Sequence, residues 1–446
     1  MSPYAGRLPN GLGLLVEPLP DHGRGLASIA MTVAVGGDDD PTGQHGMAHL
    51  VEHLMFPRAG EDDARDGHVA RVEGAGGVCN AETHRDHTVF HTTVPAGMLP
   101  DVLEWEARRL LTLAPTEAVI RTETDVIAEE IRGASAGGRV WGTALETLHP
   151  GSRDSFGTPA DLAAVTAADA TAFFRRHYRA GAMVLSVAGD VDADQVAASV
   201  DVLFAGLPAG GAPTAGGRRA ELGPGFDSGS DPGLDPGPAI GHGLMPGRVP
   251  ERATAPAVLR TAPLPSPVSG VALGHPLPDP VSGRNAYLAQ VVLAEELSRS
   301  LLPRLTRRDS RLTSARITCG YHGQWLGSAA PDLALVLLGR APRVTVAEAV
   351  DAWLEVLREV AERPTSADEH RRAVNALLLA CHRNADSLTS RAITHARTAL
   401  FFPGSGGLAA LPGDLARVTP DEVSDAARAL LSGPCSVTEL GGGTRC

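Results

Sequence analysis

The sequence contains no lysine, and it has few cysteines and few aromatic residues. All 39 basic residues are therefore arginine, and 52 acidic residues bring the formal net charge to −13. This charge argues against nucleic acid or an anionic membrane as the main partner, because both repel an acidic protein. The five cysteines are odd in number, widely spaced and without a C-x-x-C pair, so neither a disulfide framework nor a cysteine metal site is expected.

Long apolar runs are also missing. No uninterrupted stretch approaches the roughly 20 residues that a membrane-spanning helix needs. Residues 1–7 lead straight into a predicted strand, without the charged and apolar regions of a secretion signal. The sequence therefore predicts a cytoplasmic protein that has no membrane partner.

Length and composition predict two domains joined by a linker. At 446 residues the chain exceeds what one core usually holds, and its 43% hydrophobic content is enough for two packed cores. Residues 209–257 are dominated by glycine, proline, alanine and serine, which bury too little apolar surface to offset the entropy of ordering them. We therefore predict an N-terminal domain over residues 1–208, a linker over 209–257 and a C-terminal domain over 258–446.

The two predicted domains share one order of elements. In the first, a strand over residues 27–35 is followed by a turn-rich loop and a helix that contains His49. In the second, residues 269–273 are followed by a proline and glycine turn and a helix over 285–297. The second helix carries alanine and glutamate, but no histidine, at the corresponding place. The repeat is therefore expected to be structural, without a second metal site.

The segment His49-Leu50-Val51-Glu52-His53 has the spacing of a metal-binding helix. Side chains three and four positions apart share a helical face, so the two histidines and the glutamate project together while the apolar pair turns inward. A catalytic zinc site usually has three protein ligands and an open position for water, on which a nearby carboxylate acts as general base. The pattern H-x-x-E-H is the inverse of the H-E-x-x-H peptidase motif. Among sixteen histidines, the same spacing could also arise by chance on a solvated helix.

A third ligand is available on another predicted helix, around residues 123–132. Its apolar residues Val126, Ile127 and Ile131 mark a buried side. Glu123 and Glu130 are seven positions apart and therefore share a face. A solvated acidic helix would show the same pattern, so the spacing by itself leaves both interpretations open.

Taken together, these residues resemble the M16 or pitrilysin-like zinc metallopeptidases. That family carries H-x-x-E-H followed by a glutamate ligand about 76 residues later, and 76 residues lie between His53 and Glu130. The resemblance covers most of the chain and is densest over residues 8–208. It extends to residues 8–12, 43–56, 80–83, 178 and 187–191.

The resemblance implies both a fold and a site. The fold is α+β, with two tandem, similar α/β-sandwich domains whose antiparallel-rich sheets are backed by helices and which form half of a peptidase chamber. The N-terminal domain would be catalytic and bind Zn²⁺ through His49, His53 and Glu130. Glu52 would be the general base, and Glu123 a carboxylate that orients the ligands.

The stretch from Asn80 to residue 94 alternates in the manner of a single strand. By the resemblance, this strand lies at the sheet edge, where the backbone of Asn80 and Ala81 would bind an extended peptide. His84, His87 and His91 lie on the same predicted strand. We interpret them as polar residues of an exposed strand and not as ligands, because no acidic partner stands at a matching spacing.

One feature of the resembled family is missing. Active single-chain or homodimeric members carry an arginine in the second half and a tyrosine seven residues later, which hold the substrate or the tetrahedral intermediate. No arginine between residues 301 and 320 has a tyrosine seven positions later. Arg307 or Arg308 could still meet substrate, although a solvated helix end is the favoured interpretation. We therefore expect a heterodimer with a similar chain that has lost H-x-x-E-H but keeps the arginine and tyrosine, with a homodimer as the alternative.

The sequence thus predicts a zinc-dependent metalloendopeptidase that hydrolyses small or unfolded peptides as the catalytic subunit of a two-chain chamber. Removal of leader peptides from ribosomally made precursors and general oligopeptide turnover are both compatible with it. The alternatives are a non-catalytic structural subunit and a peptide-binding subunit that uses only the edge strand. Non-catalytic subunits typically lose the base or a ligand, and here the two histidines and both glutamates of the expected site are present.

Overall fold

The computed structural model describes residues 3–56, 67–111, 113–133, 136–210 and 257–441, apart from the side chains of 136–138, 301, 304, 307 and 308. Nearly all of the predicted linker lies outside these ranges, so the division at residues 208 and 258 stays a prediction. None of the described helices combines the length and apolar character needed to cross a membrane.

The first half of the chain forms a six-stranded sheet in the order β1-β2-β6-β3-β5-β4. All neighbouring pairs are antiparallel except β2 with β6. Every residue of β6 is buried, as expected of a central strand that is covered on both faces. The strands are β1 Tyr4–Arg7, β2 Gly13–Pro18, β3 Leu26–Val33, β4 Val78–Thr83, β5 Thr88–Pro95 and β6 Met183–Gly189.

The second half forms a five-stranded sheet in the order β7-β11-β8-β10-β9, in which only β7 and β11 are parallel. Two helix-backed and mainly antiparallel sheets confirm the predicted α+β fold class. The strands are β7 Val258–Arg260, β8 Gly270–Pro276, β9 Leu312–Cys319, β10 Leu333–Arg340 and β11 Cys435–Leu440.

Helices pack on both sheets. The first half contains α1 Pro20–Gly23, α2 Met47–Leu54, α3 His68–Gly74, α4 Leu99–Leu111, α5 Glu117–Gly133, α6 Ala136–Leu148, α7 Pro159–Leu162, α8 Ala167–His177 and α9 Ala193–Leu203. The second half contains α10 Arg284–Glu296, α11 Leu302–Arg308, α12 Val346–Glu362, α13 Ala367–Asp386, α14 Leu388–Phe401, α15 Gly407–Arg417 and α16 Pro420–Ser432. A π-helical turn, Leu297–Leu301, joins α10 to α11.

Two boundaries differ from the sequence pattern. Residues 80–94 predict one strand, but β4 and β5 form a hairpin whose turn is closed by a 2.7 Å hydrogen bond from the His84 amide to the His87 carbonyl. A period of two continues through a short turn, so alternation alone cannot separate one long strand from two. Residues 366–398 similarly predict one helix, but the chain breaks at Ser387, whose hydroxyl caps α14 by accepting from the amide of Ser390 at 3.2 Å.

The two halves exchange helices. Helix α6 of the first half packs on the second sheet, where Trp141 and Leu145 contact a cluster that includes Leu333. Helix α14 of the second half packs on the first sheet, and its fully buried Ala392 and Ala396 allow close contact with β3 and β6. Since each half covers part of the other half's sheet, the two cores depend on one another.

Candidate metal centre

The start of helix α2 is fixed by a glycine turn and by hydrogen bonds to one carboxylate. Its first turn follows Gly46, which has a φ of +105°, and the Asp40 carboxylate accepts hydrogen bonds from the amides of Gly46 at 2.6 Å and Ala48 at 2.8 Å. Leu50 and Val51 are fully buried. This anchoring turns the opposite face of α2 toward a cleft, as the helical period predicts.

That face brings two histidine nitrogens close to a carboxylate oxygen of α5. Glu130 Oε2 lies 3.5 Å from His49 Nε2 and 3.5 Å from His53 Nε2, and the three atoms lie within 4.8 Å of one another. A tetrahedral zinc ion with bonds of about 2.0–2.2 Å needs ligand atoms roughly 3.3–3.6 Å apart. Two imidazoles and one carboxylate are also the donor set of one type of catalytic zinc site. The donor set and the two distances from Glu130 therefore fit the metal that the sequence implies.

Hydrogen bonding orients one of the two imidazoles. His53 Nδ1 lies 3.2 Å from Oε2 of Glu123, whose residue is only 4% exposed. A proton on Nδ1 leaves the Nε2 lone pair facing Glu130, which is how a carboxylate fixes the tautomer of a metal-ligating histidine. Burial by itself would lower the pKa of His53, but the hydrogen bond to Glu123 and the nearby carboxylates raise it. The surroundings of His53 thus attract a cation.

The other imidazole is kept neutral. Burial, together with the nearby His53, lowers the pKa of His49 to about 4. At neutral pH His49 therefore carries an available lone pair, as a zinc ligand must.

Glu52 lies beside the three ligand atoms and is only 9% exposed. Its Oε2 accepts a 2.5 Å hydrogen bond from the Thr83 hydroxyl, which comes from β4. Burial raises the pKa of Glu52, while the Thr83 hydroxyl lowers it. Thr83 was not predicted as a site residue. The alternation of side chains along β4 could have indicated its position, because it places Thr83 on the same side as the buried Ala81.

A histidine that bridges two aspartates stabilises the start of α2. Burial would lower the pKa of His45, but hydrogen bonds to Asp154 and Asp40 raise it to about 9. His45 Nδ1 lies 3.0 Å from Asp40, and Nε2 lies 3.3 Å from Asp154. Gly157, at φ +82°, lies against Gly46 so closely that a Cβ would come within 2.5 Å of the Gly46 Cα. The segment around residue 155 is thereby held against the metal helix.

The three residues that carry the candidate ligand atoms line a cavity of about 540 Å³. Asn80 and Ala81 line it from β4, which stands at the sheet edge as the resemblance implies. Within the described residues β4 pairs only with β5, so its outer backbone edge faces away from the sheet. The other lining residues are His49, Glu52, His53, Phe56, Val69, Cys79, Glu82, Thr83, His84, Glu123, Glu130, Ser155, Phe156, Tyr321, His322 and Gln324.

The histidines of the β4–β5 hairpin are placed differently from the expectation of an exposed strand. His84 is 2% exposed and His87 is fully buried, and their rings stack at 4.2 Å between centroids. His87 Nδ1 also lies 2.8 Å from Asp86, and its ring lies 5.3 Å from that of Phe401 in α14. Helix α14 of the other half covers this face, which no local pattern reveals. His91 is half-buried and, like the other two, lies outside the three-ligand group.

Within the described residues, the second half contributes to the cavity through a loop. The side chains of Arg307 and Arg308 lie outside the described part of the chain. Tyr321 lines the cavity, and its hydroxyl is hydrogen-bonded to Ser155. Neither Ser155 nor Tyr321 was predicted as a site residue, because their positions follow from a contact between the two halves.

The family follows from comparison with known proteins. Residues 20–137 match the model for insulinase, peptidase family M16, and residues 164–377 match the model for the peptidase M16 inactive domain. The chain belongs to peptidase family M16. The two models match one after the other along the chain, which is the arrangement of the short two-domain form of M16. The matches confirm the family expected from the sequence.

Individual M16 relatives agree with this assignment. An uncharacterized zinc protease of Mycobacterium leprae is 32% identical over 198 residues, which are 43% of this chain and 44% of that protein. The chain thus spans less than half the length of this curated relative.

Solved structures share the fold over almost the whole chain. A protease from Helicobacter pylori has a TM-score of 0.76 at 18% identity, covering 99% of this chain and 100% of that one. The periplasmic protease PqqL from Escherichia coli has a TM-score of 0.68 at 18% identity, and the match covers 98% of this chain but 47% of that one.

Proposed function

We propose that this chain is a zinc-dependent metalloendopeptidase and the catalytic subunit of a two-chain chamber. The observation that carries the proposal is the meeting of His49 Nε2, His53 Nε2 and Glu130 Oε2 within 4.8 Å, beside the carboxylate of Glu52. The relative named a zinc protease supports the same chemistry.

Each residue of the centre has a distinct task in peptide hydrolysis. Bound zinc would supply the Lewis acid that lowers the pKa of water and polarises the peptide carbonyl. Glu52 would accept a proton from the attacking water and pass it to the leaving amine nitrogen. Thr83 holds Glu52 in place, and Glu123 holds the His53 ring.

The edge of β4 supports an unfolded peptide as substrate. An extended peptide can add to the outer edge at Asn80 and Ala81 through main-chain hydrogen bonds, which depend little on its sequence. A folded protein rarely offers a free strand of this kind. Precursor processing and oligopeptide turnover both supply such chains.

Two observations support a second subunit. The proposed metal centre lies in this chain, but the sequence lacks an arginine and tyrosine seven positions apart in the second half. The E. coli protease PqqL is matched over only 47% of its length, so that chain is about twice as long as the unit seen here. We propose a heterodimer with a homologous chain that supplies the arginine and tyrosine, with a homodimer as the alternative.

A non-catalytic role has one observation in its favour, since residues 164–377 match a model described as an inactive domain. That range excludes His49, Glu52, His53 and Glu130. The match therefore describes the part of the chain that has no metal ligands, and the peptidase remains the better-supported function. A cytoplasmic location stays a prediction from the sequence.

The proposal is tested by removing the metal and the base separately. A chelator should abolish cleavage of an unfolded peptide, and added zinc should restore it. Glu52→Gln keeps the shape of the side chain but cannot accept a proton, so it should retain zinc while kcat falls by roughly a hundredfold or more. Mass spectrometry of the digest and metal analysis measure both effects. Cleavage by Glu52→Gln at the wild-type rate would show that another group is the base.

A further inference from the structure

A loop of the second half reaches the metal centre of the first. It joins β9 to β10 over residues 320–332, and Tyr321, His322 and Gln324 of this loop line the cavity. In the described part of the chain, no other residue of the second half does so. The loop is therefore the only described second-half segment placed to meet a substrate bound at the metal centre.

The loop has a fixed backbone. The amide of Gly323 donates to the carbonyl of Gly320 at 2.9 Å, that of Gln324 to Tyr321 at 2.8 Å, and that of Gly327 to Gln324 at 2.8 Å. Gly320 has a φ of +85°, and a Cβ there would lie 2.5 Å from the Gln324 carbonyl oxygen. Consecutive turns of this kind hold the residues between them in one conformation.

Contacts with the first half hold the loop against the cleft. The Tyr321 ring is 5% exposed, lies 4.7 Å from the Trp141 ring and has its hydroxyl bonded to Ser155. Farther along, the amide of Ala329 donates to Asp86 at 2.6 Å. Both ends of the loop are thus attached to the half that carries the metal centre.

His322 occupies a position whose backbone does not favour histidine. Its φ is +48°, a left-handed conformation that glycine and asparagine adopt with less strain. Its ring lies 5.2 Å from that of Trp141 and 5.8 Å, edge-on, from that of Phe156. A strained position that presents an aromatic ring to a cleft is a common sign of a functional residue.

Among the described residues, neither His322 nor Gln324 has a hydrogen-bond partner for its side chain. Both residues are exposed, and no side-chain hydrogen bond joins either of them to another described residue. Their donors and acceptors are therefore available to a ligand. Among the described residues that line the cavity there are four glutamates, Glu52, Glu82, Glu123 and Glu130, and no arginine, so the cavity repels an acidic side chain.

We propose that His322 and Gln324 are specificity-determining residues of the peptidase, and that the His322 and Phe156 rings bind a large uncharged side chain next to the scissile bond. Gln324 donates to or accepts from the peptide backbone beside that side chain. This inference rests on the proposed peptidase function. It goes beyond that function because it assigns part of substrate selection to the half without metal ligands.

The test measures peptide binding separately from cleavage. Fluorescently labelled decapeptides with phenylalanine, leucine, alanine, arginine or glutamate at one position are titrated against the zinc-loaded Glu52→Gln chain, and anisotropy gives the Kd. The phenylalanine and leucine peptides should bind at least about tenfold more tightly than the glutamate peptide. His322→Asn keeps a residue suited to the turn but removes the aromatic ring, so in the Glu52→Gln background it should weaken the phenylalanine peptide about tenfold. Gln324→Ala should weaken all five peptides to a similar degree.

Matched controls change a histidine and a glutamine that lie outside the loop. His382→Ala and Gln195→Ala change exposed residues of α13 and α9 and should leave every Kd unchanged. Zinc content and the thermal unfolding midpoint should stay at the parent value in the loop variants, which separates lost contacts from lost structure. Equal binding of the phenylalanine peptide by His322→Asn and His382→Ala, or tighter binding of the arginine peptide than of the phenylalanine peptide, would overturn the inference. Binding as described without cleavage by the wild-type chain, alone or with its homologue, would count against the peptidase function only.

Discussion

At the scale of single residues, the metal centre depends on two glutamates that are held differently. The Glu123 side chain is 6% exposed and bonded to His53, whereas the Glu130 side chain is 46% exposed. A buried carboxylate cannot move far, so Glu123 fixes the ring that Glu130 meets. The relative position of the three candidate ligand atoms is therefore set in part by Glu123, which is not one of the three.

Glu123→Gln should weaken zinc binding without abolishing it. Glutamine keeps the shape but loses the negative charge that stabilises His53, and losses of this type cost roughly ten- to a hundredfold in metal affinity. Competition with a chromophoric chelator measures the affinity. Glu129→Gln alters an exposed glutamate on the same helix and should have no effect on zinc affinity.

His49→Ala removes a candidate ligand and should bind zinc far more weakly than Glu123→Gln or Glu129→Gln. An unchanged affinity in Glu123→Gln would reduce Glu123 to a structural residue.

At the scale of elements, the exchanged helices α6 and α14 tie the two sheets together. Helix α14 supplies alanines against β3 and β6 and also Arg391, whose Nε donates to Glu17 of β2 at 2.8 Å. His395 of the same helix lies 3.1 Å from Glu17. This ion pair therefore joins the two halves on the face of the first sheet that α14 covers.

Glu17 should make stability depend on pH in the acid range. Burial would raise the pKa of Glu17, but hydrogen bonds to His395 and Arg391 lower it to about 2. Because the pKa in the folded state lies below the unfolded value of about 4.3, the stabilisation is present above that value and is lost as pH falls toward 2. It amounts to about 1 to 3 kcal/mol after allowing for solvent screening.

The measurement is urea unfolding of wild type and Glu17→Gln at pH 6 and pH 3. The variant should be less stable at pH 6, and it should lose less stability than wild type between pH 6 and pH 3. Glu362→Gln, which alters an exposed glutamate at the end of α12, should follow the wild-type curve. An equal loss of stability between pH 6 and pH 3 in wild type and Glu17→Gln would mean that the ionisation of Glu17 contributes no stability.

At the scale of the whole molecule, the described chain has one candidate metal centre, in its first half, and a loop of the second half reaches that centre. Its fold matches an H. pylori protease end to end but only 47% of the E. coli protease PqqL. The proposed chamber would need a second such unit. That unit is expected to provide the arginine and tyrosine, seven positions apart, that the sequence of the second half does not contain.

Adding the homologous chain should therefore raise peptidase activity. A residue that stabilises the transition state is worth about a hundredfold or more in rate, so the isolated chain should have a kcat/KM at least about a hundredfold below that of the pair. Native mass spectrometry should show a one-to-one complex. Glu52→Gln in this chain should silence the pair, which places the base here. Full activity from the isolated chain, unchanged by its homologue, would contradict the division of labour.

The sequence by itself determined what local spacing can encode. The helical period places His49, Glu52 and His53 on one face, and the resemblance to M16 identified Glu130 as their partner across 76 intervening residues. The two-sheet α+β architecture was likewise predicted from the resemblance to M16, and the similar order of elements in the two halves agreed with it. The absence of a second H-x-x-E-H also follows from the sequence alone.

Only the tertiary structure decided which distant groups meet. It placed Thr83 against Glu52, buried His87 beneath α14, and brought His322 of the second half to the cavity of the first. The last two of these contacts involve the exchanged helices, since His87 lies against Phe401 of α14 and His322 against Trp141 of α6. A periodic pattern shows which side of an element is apolar but does not say which half of the chain will cover it, because any apolar surface of suitable shape can satisfy the same burial.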